Sequence, residues 1–211
     1  MCAIQCLTPA MLSKQSPDVT PDASELTRAE RWLALGYGGA TVWLTGLPAA
    51  GKSTIGAGVE KRLVAQGRPG YLLDGDNLRR GLNGDLGFSR PARSENARRS
   101  GHVAFLLADA GIVAVVALIS PYADDRDQVR ELHETAGLPF IEVWIATPLA
   151  ECERRDPKGL YARARGGDLR GLTGVDDPYE PPPRAELIIE PHTSIEAAVD
   201  DIVAALGRVG A

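Results

Sequence analysis

Apolar residues fall along this chain in short unbroken runs separated by longer amphipathic stretches. Residues 40–45 (Ala-Thr-Val-Trp-Leu-Thr) form the first run, 70–73 the second, 112–119 the third, 140–146 the fourth and 187–189 a short fifth. Near-continuous apolar runs of this length read as strands covered on both faces, the pattern of a parallel sheet. Between them the period changes to that of helices, at 52–66, 94–110, 124–136 and 194–206. In the last of these Ile195, Ala198, Val199, Ile202, Val203 and Leu206 share one face. Residues 24–35 predict a further helix with Leu26, Ala29, Trp32 and Leu33 on an apolar side, broken by Gly36, Gly38 and Gly39. Helices alternating with buried strands predict an α/β fold of three layers, one parallel sheet with helices on both faces, in a single domain over 24–211. No internal repeat and no second domain is visible.

Two segments escape the alternation. Residues 1–23 are rich in Pro, Ser, Thr and Gln without periodicity and read as a flexible tail. Residues from about 155 to 183 are dense in Arg, Gly and Pro. A long irregular stretch inside a compact domain reads as an active-site lid, and its cations suit phosphate.

Composition narrows the partners. Of 211 residues, 44% are hydrophobic and 24% charged, with 23 Lys and Arg against 28 Asp and Glu and a net charge of -5. That balance argues against nucleic acid as a partner and leaves room for a local basic pocket. Cys2, Cys6 and Cys152 are too few and too scattered for a disulfide framework or a zinc site, so free thiols are expected. The start carries no basic-then-apolar leader, and the longest apolar run, 111–119, is too short to span a bilayer. The expectation is a cytoplasmic protein without a membrane partner.

The first strand runs into Gly46-Leu47-Pro48-Ala49-Ala50-Gly51-Lys52-Ser53-Thr54, which matches G-x-x-x-x-G-K-[ST] between a strand and a helix. In such a phosphate-binding loop (P-loop) the glycines turn backbone N–H groups toward phosphates, and the helix N-terminus adds its positive dipole end. Lys52 is placed to reach the β- and γ-phosphates of ATP, and the Ser53 hydroxyl to hold Mg²⁺. The fold is therefore expected to be of the P-loop NTPase type. No Asn-Lys-x-Asp guanine-reading motif is present, which disfavours GTPases.

The second strand ends in Asp74-Gly75-Asp76-Asn77. Strand C-termini in open α/β sheets face the ligand crevice, so one carboxylate there suits Mg²⁺ and the other suits accepting a proton from an attacking hydroxyl. The same four residues are also good turn formers. Arg79, Arg80, Arg90, Arg93, Arg98 and Arg99 crowd the next stretch; a subset suits an anionic acceptor, while Arg98 and Arg99 read as a solvated helix face. Phe88 either stacks on a base or plugs the core. Ser120, at the end of the third strand, is a phosphate ligand, a phosphorylation site or simply part of a Ser-Pro turn. His102, His133 and His192 have no spacing that suggests metal or catalysis.

Together these residues resemble the adenylylsulfate kinases, over about residues 27–191. The resemblance rests on residues 41–47, 74–79 and 81–89, on Arg93-x-Glu-Asn96, on 119–122 with Asp125-Arg126, and on 156–161 and 173–180. It implies transfer of the ATP γ-phosphoryl group to the 3′-hydroxyl of adenylylsulfate, giving 3′-phosphoadenylylsulfate. By that similarity Asp76 stands beside the 3′-hydroxyl, Arg79, Arg93 and Asn96 hold the phosphosulfate and nucleotide, and Phe88 covers one adenine face. Ser120 matches a serine described in the family as a phosphoenzyme residue; a phosphate ligand is the simpler role, since in-line transfer needs no covalent step. Lys158 and the Arg-rich segment would form the lid. The resemblance further implies a homodimer and, since this chain carries no sulfurylase domain, at most a non-covalent association with ATP sulfurylase.

The chain departs from the family pattern at Ala49, where a glycine is common, and at Ala92, which replaces an Asp expected to orient Arg93. Leu172 stands where a Phe often completes the adenine clamp, and Ala162 and Arg163 replace a Lys pair. Losing one aromatic face is expected to cost about 1 kcal/mol of binding. These departures also fit a kinase retuned to another nucleotide-linked anion, such as a cytidine diphosphate derivative. A silent partner of a sulfurylase is disfavoured by the intact Lys52, Ser53, Asp74, Asp76 and Arg93.

Overall fold

The computed structural model describes residues 25–210; the tail expected over 1–23 lies outside them. Five strands, β1 (Ala40–Thr45), β2 (Gly70–Asp74), β3 (Val113–Ala117), β4 (Phe140–Ile145) and β5 (Leu187–Ile189), form one parallel sheet in the order β2-β3-β1-β4-β5. β1 lies at the centre, and every residue of β1 and β3 is buried because helices cover both faces.

The faces separate by residue parity, as a pleat requires. Val42 and Leu44 point to a core shared with helix α2 (Lys52–Ala65) and the C-terminal helix α8 (Ile195–Arg208). Trp43 points the other way, into a core with α4 (Arg90–Asp109) and α5 (Ala123–Thr135). α4 and α5 approach closely at Gly101, where a Cβ would stand 2.7 Å from Val129. Across the same interface His133 is fully buried. Its Nδ1–H donates to the Val129 carbonyl (2.8 Å), which leaves Nε2 to accept from the Thr41 hydroxyl (2.9 Å) and ties α5 to β1.

Several boundaries differ from those expected. α4 begins at Arg90 rather than 94, because Ser89 caps it by accepting from the Ala92 N–H and Pro91 fits its first turn. α1 (Arg28–Leu35) begins after Thr27, which forms a reciprocal capping box with Glu30. Its apolar side buries no residue, and Leu33 is 84% exposed. α1 is held instead by polar contacts: Arg28 and Arg31 pair with Asp109, and the Trp32 indole donates to the Asp109 carbonyl. Residues 155–183 are not wholly irregular. α6 (Leu149–Arg155) runs into them and α7 (Leu160–Arg165) lies within them. The turn after β2 is itself one turn of helix, α3 (Gly75–Leu78), capped by Asp74.

Candidate active site

β1 runs into Gly46, whose φ of 150° and tight seat against the Ile145 carbonyl exclude a side chain; a Cβ would approach that oxygen to 2.7 Å. The loop then runs to Gly51, the N-cap of α2 at φ 113°. Between them Ala49 holds φ 60°, a left-handed conformation that costs an L-residue about 1–2 kcal/mol. The glycine common in the family would adopt it freely, so the departure at Ala49 stiffens the loop at a position whose backbone favours glycine. The loop is buttressed from behind by the Thr147 hydroxyl, which donates to the Ala50 carbonyl (2.9 Å), and by the Tyr161 hydroxyl, which donates to that of Pro48 (3.0 Å). Lys52 is buried, and its Nζ donates to the carbonyls of Gly46 (2.9 Å) and Leu47 (2.7 Å). Burial pulls its pKa down from 10.5 to about 8, against the nearby Cys152, Asp76 and Asp74.

Across the crevice the Ser53 hydroxyl donates to Asp74 Oδ2 at 2.6 Å, while Asp74 Oδ1 accepts from the N–H groups of Asp76 and Asn77. Ser53 and Asp74 therefore present a hydroxyl and a carboxylate oxygen side by side. No cluster of three His, Cys, Asp or Glu among the described residues could form a cage. Two hard oxygen donors completed by water and phosphate suit Mg²⁺, so these residues fit the ion. Asp76 stands exposed at the start of α3, ion-paired with Lys158 from the loop between α6 and α7.

The anion-binding candidates are held by backbone carbonyls. Arg79 donates to those of Leu86 (2.9 Å) and Gly87 (3.2 Å), and its guanidinium lies 4.3 Å over the Phe88 ring. Phe88 is 61% exposed, so it lines the cavity instead of plugging the core. Arg93 is buried; it donates to Phe88 (2.9 Å) and Gly171 (2.7 Å) and lies 3.4 Å from Asp177. The expectation that Arg93 loses its orienting partner at Ala92 is thus corrected, since Asp177 supplies a carboxylate from the far end of the chain. Asn96 is buried with its Oδ1 unpartnered, and it faces the same cavity. Arg98 and Arg99 pair with Glu95, and Arg99 also with Asp85, as a solvated face should.

Ser120 is buried at φ 38°, strained by about 1–2 kcal/mol. Its Oγ accepts from the Trp43 indole at 3.0 Å, which leaves its O–H free to donate into the cavity. Leu172 is buried against the core yet also lines the cavity, so it serves both regions.

One cavity of about 480 Å³ unites these groups. Its walls include Pro48, Ala49, Gly51, Lys52, Ser53 and Thr54 on one side, and Asp74, Asp76, Arg79, Phe88, Arg93, Asn96, Ser120, Lys158 and Leu172 on the other. Gly46, Leu47 and Ala50 belong to the same loop but are not among the residues that line this cavity. Leu169, Arg170 and Gly171 also line it, and sequence reasoning missed them as site residues, as it did Asp177. A loop that cradles polyphosphate facing a carboxylate and a set of fixed cations is the arrangement for phosphoryl transfer to a small anionic acceptor.

Comparison with known proteins agrees. Residues 38–190 match the family model described as adenylylsulphate kinase. The adenylyl-sulfate kinase of Clostridium acetobutylicum is 45% identical over 194 residues, 92% of this chain and 96% of that protein. The bifunctional enzyme CysN/CysC of Mycobacterium tuberculosis is 50% identical over 165 residues, 78% of this chain, but the chain spans only 27% of its length. The structure of the Mycobacterium tuberculosis APS kinase CysC in complex with AMPPNP and APS superposes with a TM-score of 0.79 at 49% identity, covering 81% of this chain and 99% of that one. With its loop, its acceptor-side residues and its relatives in agreement over most of its length, the chain belongs to the adenylylsulfate kinase family.

Proposed function

We propose that the protein transfers the γ-phosphoryl group of ATP to the 3′-hydroxyl of adenylylsulfate, releasing ADP and 3′-phosphoadenylylsulfate. The observation that carries this reading is the single cavity that Lys52 and Ser53 share with Asp76, Arg93, Asn96 and Ser120. The bond from the γ-phosphorus to the bridging oxygen of ADP breaks as a bond to the 3′-oxygen forms. Asp76 accepts the hydroxyl proton once phosphate draws Lys158 away from it. Lys52 turns its ammonium from the loop carbonyls to the β- and γ-phosphates and stabilises charge in the transition state. Arg79 and Arg93 take the phosphosulfate, Asn96 and Phe88 the nucleoside, and the Ser120 hydroxyl donates to a phosphate oxygen. Mg²⁺, held by Ser53 and through Asp74, supplies neutralisation of the phosphate charge when bound.

Segment 155–183 acts in this reading as the lid, closing over both nucleotides and excluding water. Action as a homodimer, location in the cytoplasm and non-covalent association with ATP sulfurylase belong to the same proposal. Among the described residues no helix is long and apolar enough to cross a membrane. The test is ADP release by the purified protein with ATP and Mg²⁺, comparing adenylylsulfate with AMP, cytidine diphosphate and no acceptor. Turnover that depends on adenylylsulfate supports the assignment. Turnover only with another acceptor would mean that Ala49 and Leu172 mark a retuned site.

A further inference from the structure

Arg126 has no part in the chemistry above, yet at 2% exposure it is buried more completely than any other charged side chain among the described residues. Its guanidinium donates in three directions: Nε to Glu142 Oε1, Nη1 to the Ser120 carbonyl and Nη2 to the Glu180 carbonyl, each at 2.7 Å. Glu142 is also held by Arg130 at 3.2 Å, so its charge keeps a partner without Arg126. A buried ion pair seldom adds stability over a well-packed apolar pair. The two carbonyl contacts therefore call for another explanation, and only a planar fork can make them together with the carboxylate contact.

Those carbonyls belong to two separate pieces of the acceptor wall. Ser120 holds a strained left-handed backbone that its surroundings must fix. Glu180 closes segment 171–180, in which the Gly171 carbonyl and Asp177 hold Arg93 and Leu172 faces the cavity. The two pieces are also stitched together nearby. The Glu180 N–H donates to the Pro121 carbonyl (2.8 Å), and the Ala123 N–H donates to the Glu180 side chain (2.7 Å).

We propose that Arg126 is a positioning residue of the acceptor site: it locks Ser120 in its left-handed conformation and holds segment 171–180 in register with it. Ser120, Arg93 and Leu172 then meet the acceptor in one arrangement. The kinetic part of this proposal rests on the acceptor-side reading given above.

The test compares Arg126→Lys, Ser120→Ala and the double variant. Arg126→Lys keeps the charge beside Glu142 but loses the fork. It should lower kcat/KM for adenylylsulfate by ~10-fold or more while KM for ATP stays within about two-fold. In the Ser120→Ala background the same change should cost less than it does in the parent, because the part of its effect that runs through the Ser120 hydroxyl is already lost. Unchanged kinetics with lowered thermal stability, or effects that multiply in full, would overturn the proposal. Amide exchange on the full chain gives a readout independent of turnover. Arg126→Lys should speed exchange in residues 119–123 and 172–180 together and leave 46–54 as in the parent. If 172–180 does not change, the coupling does not exist. A parent protein that ignores adenylylsulfate would refute the assigned function, and the exchange result would still decide the role of Arg126.

Discussion

Lys52 Nζ donates to the carbonyls of its own loop, and burial lowers its pKa from 10.5 to about 8. Between those values the unfolded chain binds the proton and the folded one does not, so the contribution of this group to stability rises with pH from 8 to 10.5. Phosphates restore the charged form. Nucleotide binding near pH 8.5 should therefore take up a fraction of a proton, read by calorimetry in buffers of different ionisation enthalpy. Lys52→Met should abolish the uptake, and binding heats independent of buffer in the parent would contradict the account. Asp76 makes a complementary test. Its pair with Lys158 is solvent-exposed and worth about 0–1 kcal/mol, so Asp76→Asn should fold normally. Turnover should fall ~10²–10⁴-fold with ATP affinity kept, and unchanged turnover would remove Asp76 from the proton step. That Lys52 and Asp76 would line one crevice was legible in the sequence, because local motifs fix their places. The contacts of Arg93 with Asp177 and of Arg126 with Glu180 were not, because those partners lie far apart along the chain and only the fold brings them together.

The same contrast holds among the elements. The five strands were legible from their unbroken apolar runs. α6 was missed although Glu151 in its first turn and Arg154 and Arg155 in its last complement the helix dipole, because a seven-residue helix shows too little period. α1 was legible as a helix but not in its packing: of its apolar side Leu26 and Leu33 are exposed and Trp32 is only half-buried, and Asp109 holds the helix by charge. The α5–β1 contact carries its own prediction. Burial lowers the pKa of His133 from 6.5 to about 4. The stability it contributes is complete above pH 6.5 and is lost as pH falls toward 4, a loss of about 3 kcal/mol. Denaturant unfolding at pH 7 and pH 4.5 should show a drop that shrinks in His133→Gln. A drop of equal size in the variant would place the acid sensitivity elsewhere.

For the molecule as a whole, loop and acceptor wall meet in one cavity, so nucleotide should stabilise the entire fold. At 100 times its Kd, ATP or ADP with Mg²⁺ should add about 2.7 kcal/mol, a rise in Tm of roughly 5–10 °C. Scanning calorimetry checks this, and a Tm that ignores nucleotide would remove the P-loop assignment. The order β2-β3-β1-β4-β5 also divides the labour. β4 and the helices after it back the donor loop through Thr147 and Tyr161, while β2 and β3 deliver Asp74, Asp76 and Ser120 on the opposite side of β1. A change of acceptor would therefore fall on the ends of β2 and β3 and on segment 171–180, leaving the central strand untouched. The architecture is then less a fixed enzyme than an inheritable chassis, with its fuel port built in at the middle and its cargo fittings bolted to one side.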